Sequence, residues 1–156
     1  MNAGDVSIEP IGSVVGGRSE AVDDDWGGVE ATIVLDGDLL EPDATLCLEE
    51  FSHIEVVYLF HLVEPDAVVR GARRPRGNPE WPEVGILGQR AKARPNRIGV
   101  SRCELVEVDG FKLRVRGLDA VDGTPVLDVK PFMVEFAPRG PVFQPEWASD
   151  LMRHYW

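Results

Sequence analysis

The chain lacks most of the features that assign a protein to a class at sight. No stretch approaches the roughly 20 apolar residues needed to span a bilayer. Its two cysteines, Cys47 and Cys103, stand far apart, which excludes a cysteine-rich zinc site and predicts two reduced, buried thiols. His53, His61 and His154 show no HxxxH or HxH spacing, so no metal centre is expected. The GxGxxG and GxxxxGK(S/T) signatures and the serine nucleophile elbow are absent. Dinucleotide binding on a Rossmann unit and covalent hydrolysis are thereby disfavoured. The opening Met1-Asn2-Ala3-Gly4-Asp5 has neither a basic cluster nor an apolar run, so a secretory leader is not read there and a cytoplasmic chain is expected.

At 156 residues the chain is long enough to bury a real core, and one domain spanning 1–156 is the simplest reading. A net charge of −11 argues against a phosphate-rich partner, but its distribution argues back. Between Arg70 and Arg102 nine basic residues face two acids, a surplus of +7 that leaves −18 for the remainder. One basic segment on an acidic body points to a local anionic target, with a merely solvated loop as the plain alternative.

What is present is a succession of short β-type runs separated by turn residues, the rhythm of a barrel or sandwich. The runs are Val6–Val15, Val29–Leu35, Ile54–Val63, Val84–Gly88, Val100–Val108, Phe111–Leu118 and Pro125–Val129. The run from Ile54 alternates little, as in a strand covered on both faces. Asp109-Gly110 suits a tight type I′ turn, whose register sets Val108 opposite Phe111, Val106 opposite Leu113 and Glu107 opposite Lys112. Pro65 to Pro82, rich in Pro, Gly and Arg, predicts a long exposed loop without regular structure. From Pro145 to Trp156 a helix is expected, with Trp147, Leu151 and Tyr155 on one stripe.

Two Pro- and Gly-punctuated loops, Arg94–Ser101 and Gly117–Pro131, carry charges that no local fold requires. Loops held on strand scaffolds are common places for binding chemistry. Within the second, Asp119, Asp122 and Asp128 suggest either a ligand-facing loop around Leu118–Asp122 or ordinary turns in which a carboxylate accepts backbone N–H groups. Arg90 and Arg94 could grip a carboxylate or phosphate bidentately. His61, at a strand end, reads as a ligand or as a satisfied core histidine. Gly16-Gly17 and Gly27-Gly28 read as turn glycines.

Phe51-Ser52-His53-Ile54, Phe60-His61, Gly85–Arg90, Arg94–Ser101 and Leu118–Pro131 occur here in one order. Over residues 50–132 that order resembles the TsaA-like family. Its bacterial members include an S-adenosylmethionine-dependent tRNA methyltransferase acting on N6-threonylcarbamoyladenosine beside the anticodon. The resemblance implies a mainly β fold, a single-sheet β-barrel, working as a homodimer with S-adenosyl-L-methionine as cofactor. It implies cofactor contacts from Trp26, Gly27, Phe60, His61, Arg90, Leu118, Asp119, Ala120, Val121 and Asp122. In this frame Arg73, Arg74, Arg76, Lys92, Arg94 and Arg97 would meet tRNA phosphates, and His61 is the candidate base. Two departures stand out: Arg97 replaces the second proline of the usual Arg-Pro-Asn-Pro-Ile-Gly, and the usual Ile-Gly-x-Ile-Arg-Ser-Pro opening is reduced to Ile11–Ser19. Two rival readings are a non-catalytic S-adenosylmethionine-binding sensor and a cofactor-free barrel that binds RNA through arginines and aromatics.

Overall fold

Alternation along the strands explains why this chain closes on itself. The structure, a computed structural model, describes residues 4–156. Its eight strands are β1 (Gly12–Val15), β2 (Glu30–Leu35), β3 (His53–Leu59), β4 (Ala72–Arg73), β5 (Val84–Gly85), β6 (Ile98–Asp109), β7 (Lys112–Arg116) and β8 (Pro125–Pro131). Six of them form a closed antiparallel barrel in the order β1-β2-β7-β6-β3-β8, while β4 and β5 pair as a separate ribbon. Every second residue points inward: Ala31, Ile33 and Leu35 from β2, Ile54, Val56 and Tyr58 from β3, Leu113 and Val115 from β7. Burying each large aliphatic side chain contributes about 1.5–3 kcal/mol, and closure leaves the barrel itself no unpaired edge strand. On the outside, Arg116 links Glu30 and Glu104, and Arg114 pairs with Glu107.

The structure corrects several sequence expectations. The first strand starts at Gly12 rather than Val6, since Val6 and Ile8 are exposed and Pro10 has no N–H to donate. The strand read as Ile54–Val63 ends at Leu59, where the Phe60 N–H turns to the Arg97 carbonyl (2.8 Å) and the His61 N–H to that of Leu59 (2.8 Å). Its outer face, Glu55, Val57 and Leu59, is half-buried rather than covered. The 84–88 run is strand only at Val84–Gly85 and then makes a 3-10 turn over Ile86–Gly88.

The β6–β7 register is two residues away from the expected one: Asp109 faces Lys112, Val108 faces Leu113 rather than Phe111, and Glu107 faces Arg114 rather than Lys112. A type I′ turn needs positive φ at both central residues, and here only Gly110 has it (φ 56°). The turn therefore centres on Gly110-Phe111, and a bulge between Leu105 and Glu107 absorbs Val106.

The 65–82 segment is not structureless. It contains β4 and short 3-10 turns, and the Gln89 side-chain amide staples it by donating to the Arg73 (2.9 Å) and Val84 (2.7 Å) carbonyls. Cys103 is buried as expected, whereas Cys47 is exposed, at a left-handed position (φ 64°) before a 3-10 turn. The helix expected over 145–156 is α1 (Glu146–Leu151) alone. Beyond it the chain runs in turns, and the carbonyls of His154 and Tyr155 accept the N–H groups of Asp25 (2.8 Å) and Trp26 (2.8 Å), which ties these last residues to the 25–26 segment.

Candidate functional site

The β3 end, the β6 start and the loop after β7 converge at one end of the barrel. Gly99 makes this possible. A Cβ there would lie 2.6 Å from the Tyr58 ring and 2.9 Å from the Phe60 ring. The glycine thus seats both rings, which meet edge to face with centroids 5.3 Å apart. Tyr58 donates its hydroxyl to the Asp119 carbonyl and to Asp119 Oδ1, both at 3.2 Å. The Tyr155 hydroxyl donates to Asp119 Oδ2. Burial first, and the Asp119 charge second, push both phenols well above their ordinary pKa. They therefore stay protonated donors at neutral pH. Burial also pushes the Cys103 thiol up to about 12, with Asp119 adding to it, which leaves this thiol inert as a nucleophile.

The predicted site residues fall around this cluster in distinct ways. Phe60 and His61 are half-buried, and His61 Nε2 lies 3.8 Å from where a Gly123 Cβ would sit. The strand-end pair and the 118–123 loop are therefore neighbours. Leu118, Ala120 and Val121 are buried, Leu118 and Ala120 within the barrel core, whereas Asp119 is half-buried and Asp122 exposed. Asp122 accepts the Gly16 N–H at 2.8 Å, a turn-binding carboxylate as expected, though its partner lies across the fold. Arg90 is exposed and donates to the Val100 carbonyl (2.6 Å). No carboxylate lies within ion-pair distance of it among the described residues. Trp26 is buried, and Gly27 abuts the chain end, where a Cβ would meet the Trp156 carbonyl carbon at 2.9 Å.

Arg18 is a residue that sequence reasoning missed. Its guanidinium lies 4.8 Å from the centroid of the Trp26 ring and donates to the carbonyls of Asp24 (2.6 Å) and Asp25. Its own carbonyl accepts the Asp122 N–H at 2.7 Å. It thereby ties the Trp26 segment to the 118–122 loop. The one signal available was its place in the reduced Ile11–Ser19 motif. Two surface hollows, of about 580 and 240 Å³, lie elsewhere: the first is lined from Gly17 to Asp25, the second by Gly27, Arg102, Arg116 and Trp156 among others. Neither takes in Arg90 or the 118–122 loop.

The basic segment is more structured than its composition implies. Arg74 donates to the Trp81 carbonyl, Arg94 to that of Gln89 (2.8 Å), and Arg97 to that of Val63 (2.6 Å). Arg76 pairs with Asp24 at 2.8 Å. Arg73 is half-buried and Lys92 exposed. Arg97 also explains the missing proline: its φ is +53° and its N–H bonds to the Arg94 carbonyl (3.0 Å). Proline can satisfy neither condition.

The family model described as the tRNA-methyltransferase O N-terminal domain matches residues 24–137, which hold Trp26, Phe60, Arg90 and the 118–122 loop together. The chain belongs to this family. It is 48% identical over 93 residues to a protein of Methanothermobacter thermautotrophicus named "Probable S-adenosyl-L-methionine-binding protein", a match covering 58% of this chain and 61% of that one. It is 39% identical over 99 residues to the "tRNA (adenine(37)-N6)-methyltransferase" of Escherichia coli, covering 60% and 41% of the two chains. The crystal structure of TrmO from Pseudomonas aeruginosa superposes with a TM-score of 0.72 at 26% identity, over 89% of this chain and 61% of that one. This member of the tRNA-methyltransferase O family thus spans less than two thirds of the length of these relatives.

Proposed function

We propose that this chain binds S-adenosyl-L-methionine and transfers its methyl group to N6 of a modified adenosine, threonylcarbamoyladenosine, beside a tRNA anticodon. The observation that carries this reading is the family match over residues 24–137, which include Tyr58, Asp119 and the 118–122 loop. The donor set fits the cofactor. Arg90 retains free N–H groups for an amino-acid carboxylate, the half-buried Phe60 offers a face for a purine, and the 118–122 backbone with Asp119 supplies negative ends for a sulfonium. When bound, the cofactor supplies an electrophilic methyl carbon. The task left to the protein is to hold that group and the acceptor nitrogen in line, which can contribute on the order of 7–11 kcal/mol. His61, next to Gly123, is the residue we assign to take the acceptor proton. Arg73, Arg74, Arg76, Lys92, Arg94 and Arg97 hold tRNA phosphates with the donors that their loop bonds leave free. We take the chain to act as one cytoplasmic domain and as a homodimer.

Calorimetry with S-adenosylhomocysteine, and mass spectrometry of tRNA with and without the threonylcarbamoyl group, test this directly. Binding, together with the gain of one methyl group by the modified tRNA alone, is the expected outcome. Charge reversal of Arg73 and Arg74 weakens tRNA binding at a stated salt concentration and spares the small ligand; equal tRNA affinity removes the assigned phosphate role. The archaeal relative whose name states binding alone favours one second reading, a non-catalytic sensor. That reading predicts ligand binding with no methyl transfer to either tRNA.

A further inference from the structure

Asp119 carries a half-buried carboxylate with no cation to balance it. Among the described residues no arginine, lysine or histidine lies within ion-pair distance of it, and no cluster of acids, histidines and cysteines there could hold a metal ion. Drawing a charge part-way out of water is costly unless it is paired or hydrogen-bonded. Here the compensation comes from two phenols: Tyr58 donates to Oδ1 at 3.2 Å, and Tyr155 donates to Oδ2. A phenol is neutral at pH 7. Both donors therefore orient the carboxylate and leave its charge standing. A carboxylate has about four lone-pair sites, so each oxygen keeps capacity for a further partner.

The two donors are themselves held. Tyr58 is buried on β3, its ring seated against Gly99. Tyr155 belongs to the segment after α1, outside the residues that carry the family match. That strap is fixed by the carbonyls of His154 and Tyr155, which accept the Asp25 and Trp26 N–H groups, each at 2.8 Å. The absent Cβ of Gly27 admits the Trp156 backbone, and the Tyr155 ring packs edge to face on Trp156, with centroids 4.9 Å apart. We infer that Asp119 is a fixed counter-charge for a cationic centre of the ligand, and that Tyr155 is the positioning residue that holds it in place. The site then grips the sulfonium of S-adenosyl-L-methionine and releases the sulfide product, whose sulfur is neutral. This inference rests on the functional reading above; it adds discrimination between the two forms of the cofactor and a role for a segment that the family match does not reach.

The test is calorimetry without tRNA, using S-adenosyl-L-methionine and S-adenosylhomocysteine as probes. Both carry the nucleoside, the ammonium and the carboxylate; they differ by one methyl group and the positive charge on sulfur. The parent protein binds the charged probe about tenfold more tightly, as one partly shielded charge pair allows. Asp119→Asn keeps the shape and loses the charge, and it brings the two affinities within about twofold of each other. Tyr155→Phe keeps the ring and the strap and loses only the hydroxyl, and it lowers the ratio about threefold because the carboxylate is held from one side. Amide exchange at Asp25 and Trp26 stays slow in both variants, which shows that the strap is still docked. A merely structural role would weaken both probes alike and leave the ratio unchanged. That result in Asp119→Asn, or equal affinities in the parent, would overturn the counter-charge; an unchanged ratio in Tyr155→Phe, or quickened exchange there, would overturn the positioning role. If the parent binds neither probe, the functional reading itself fails and this proposal with it.

Discussion

The β6–β7 hairpin is held by a backbone ladder and by Leu105, Leu113 and Val115 buried inside the barrel. The loop between Phe60 and Arg97 has only the short β4–β5 ladder and the buried Val63, Pro75 and Ile86, and it adds side chains on carbonyl oxygens: Gln89 on Arg73 and Val84, Arg74 on Trp81, Arg94 on Gln89, Arg97 on Val63. The contrast teaches how a basic loop stays ordered with only a few buried apolar side chains. A guanidinium has five donors. One or two can tie the loop together while the rest face an anionic partner, so structure and charge need not compete for residues.

Three substitutions sharpen this contrast. The largest effect belongs to the barrel: Leu113 is fully buried, and Leu113→Ala costs about 2–5 kcal/mol through lost transfer energy and the cavity left behind. Chemical denaturation reads this as a global shift in midpoint. A cost under about 1 kcal/mol would mean that the barrel interior repacks freely. Next comes Gln89→Ala, which leaves the Arg73 and Val84 carbonyls without their side-chain donor and costs about 1–3 kcal/mol. Here the change is local: amide exchange quickens across 65–90 while the barrel amides keep their protection. Uniform loss of protection would show that loop and barrel unfold as one unit.

The smallest effect is electrostatic. Arg76 holds the Asp24 carboxyl below its ordinary value of 3.8, chiefly through their hydrogen bond, so the pair stabilises the fold at neutral pH. Because the folded-state pKa is the lower one, this contribution is complete above 3.8 and is lost as the pH falls through the depressed value. Both side chains are partly exposed, which holds it under about 1 kcal/mol. The stability difference between the parent and Asp24→Asn should thus be present at pH 7 and vanish in acid. A difference that persists at low pH would rule out the ionic origin.

The strands were largely legible because alternation is a local property: Ala31, Ile33 and Leu35, or Leu113 and Val115, announce an inward face without knowledge of any neighbour. The hairpin register was not, since a bulge at Val106 and the choice between Asp109 and Gly110 as the first turn residue depend on which side chains the opposite strands accept. The site was legible in part. His61 lies beside Gly123, just past the 118–122 loop, and Phe60 packs on Tyr58, whose hydroxyl reaches Asp119. Tyr58 read only as one more apolar strand residue and Tyr155 as part of a helical stripe, and their shared partner Asp119 lies 61 and 36 residues away.

Residue order alone determined that this chain would be a β protein with one basic segment and two constrained loops, because hydrophobic period, glycine and proline placement and charge are written residue by residue. Only the tertiary structure decided which hydroxyls surround Asp119, why Gly99 and Gly27 carry no side chain, and that Arg97 occupies a backbone state closed to proline. Those are contacts between segments distant in sequence, and their energies exist only once barrel closure has brought the segments together.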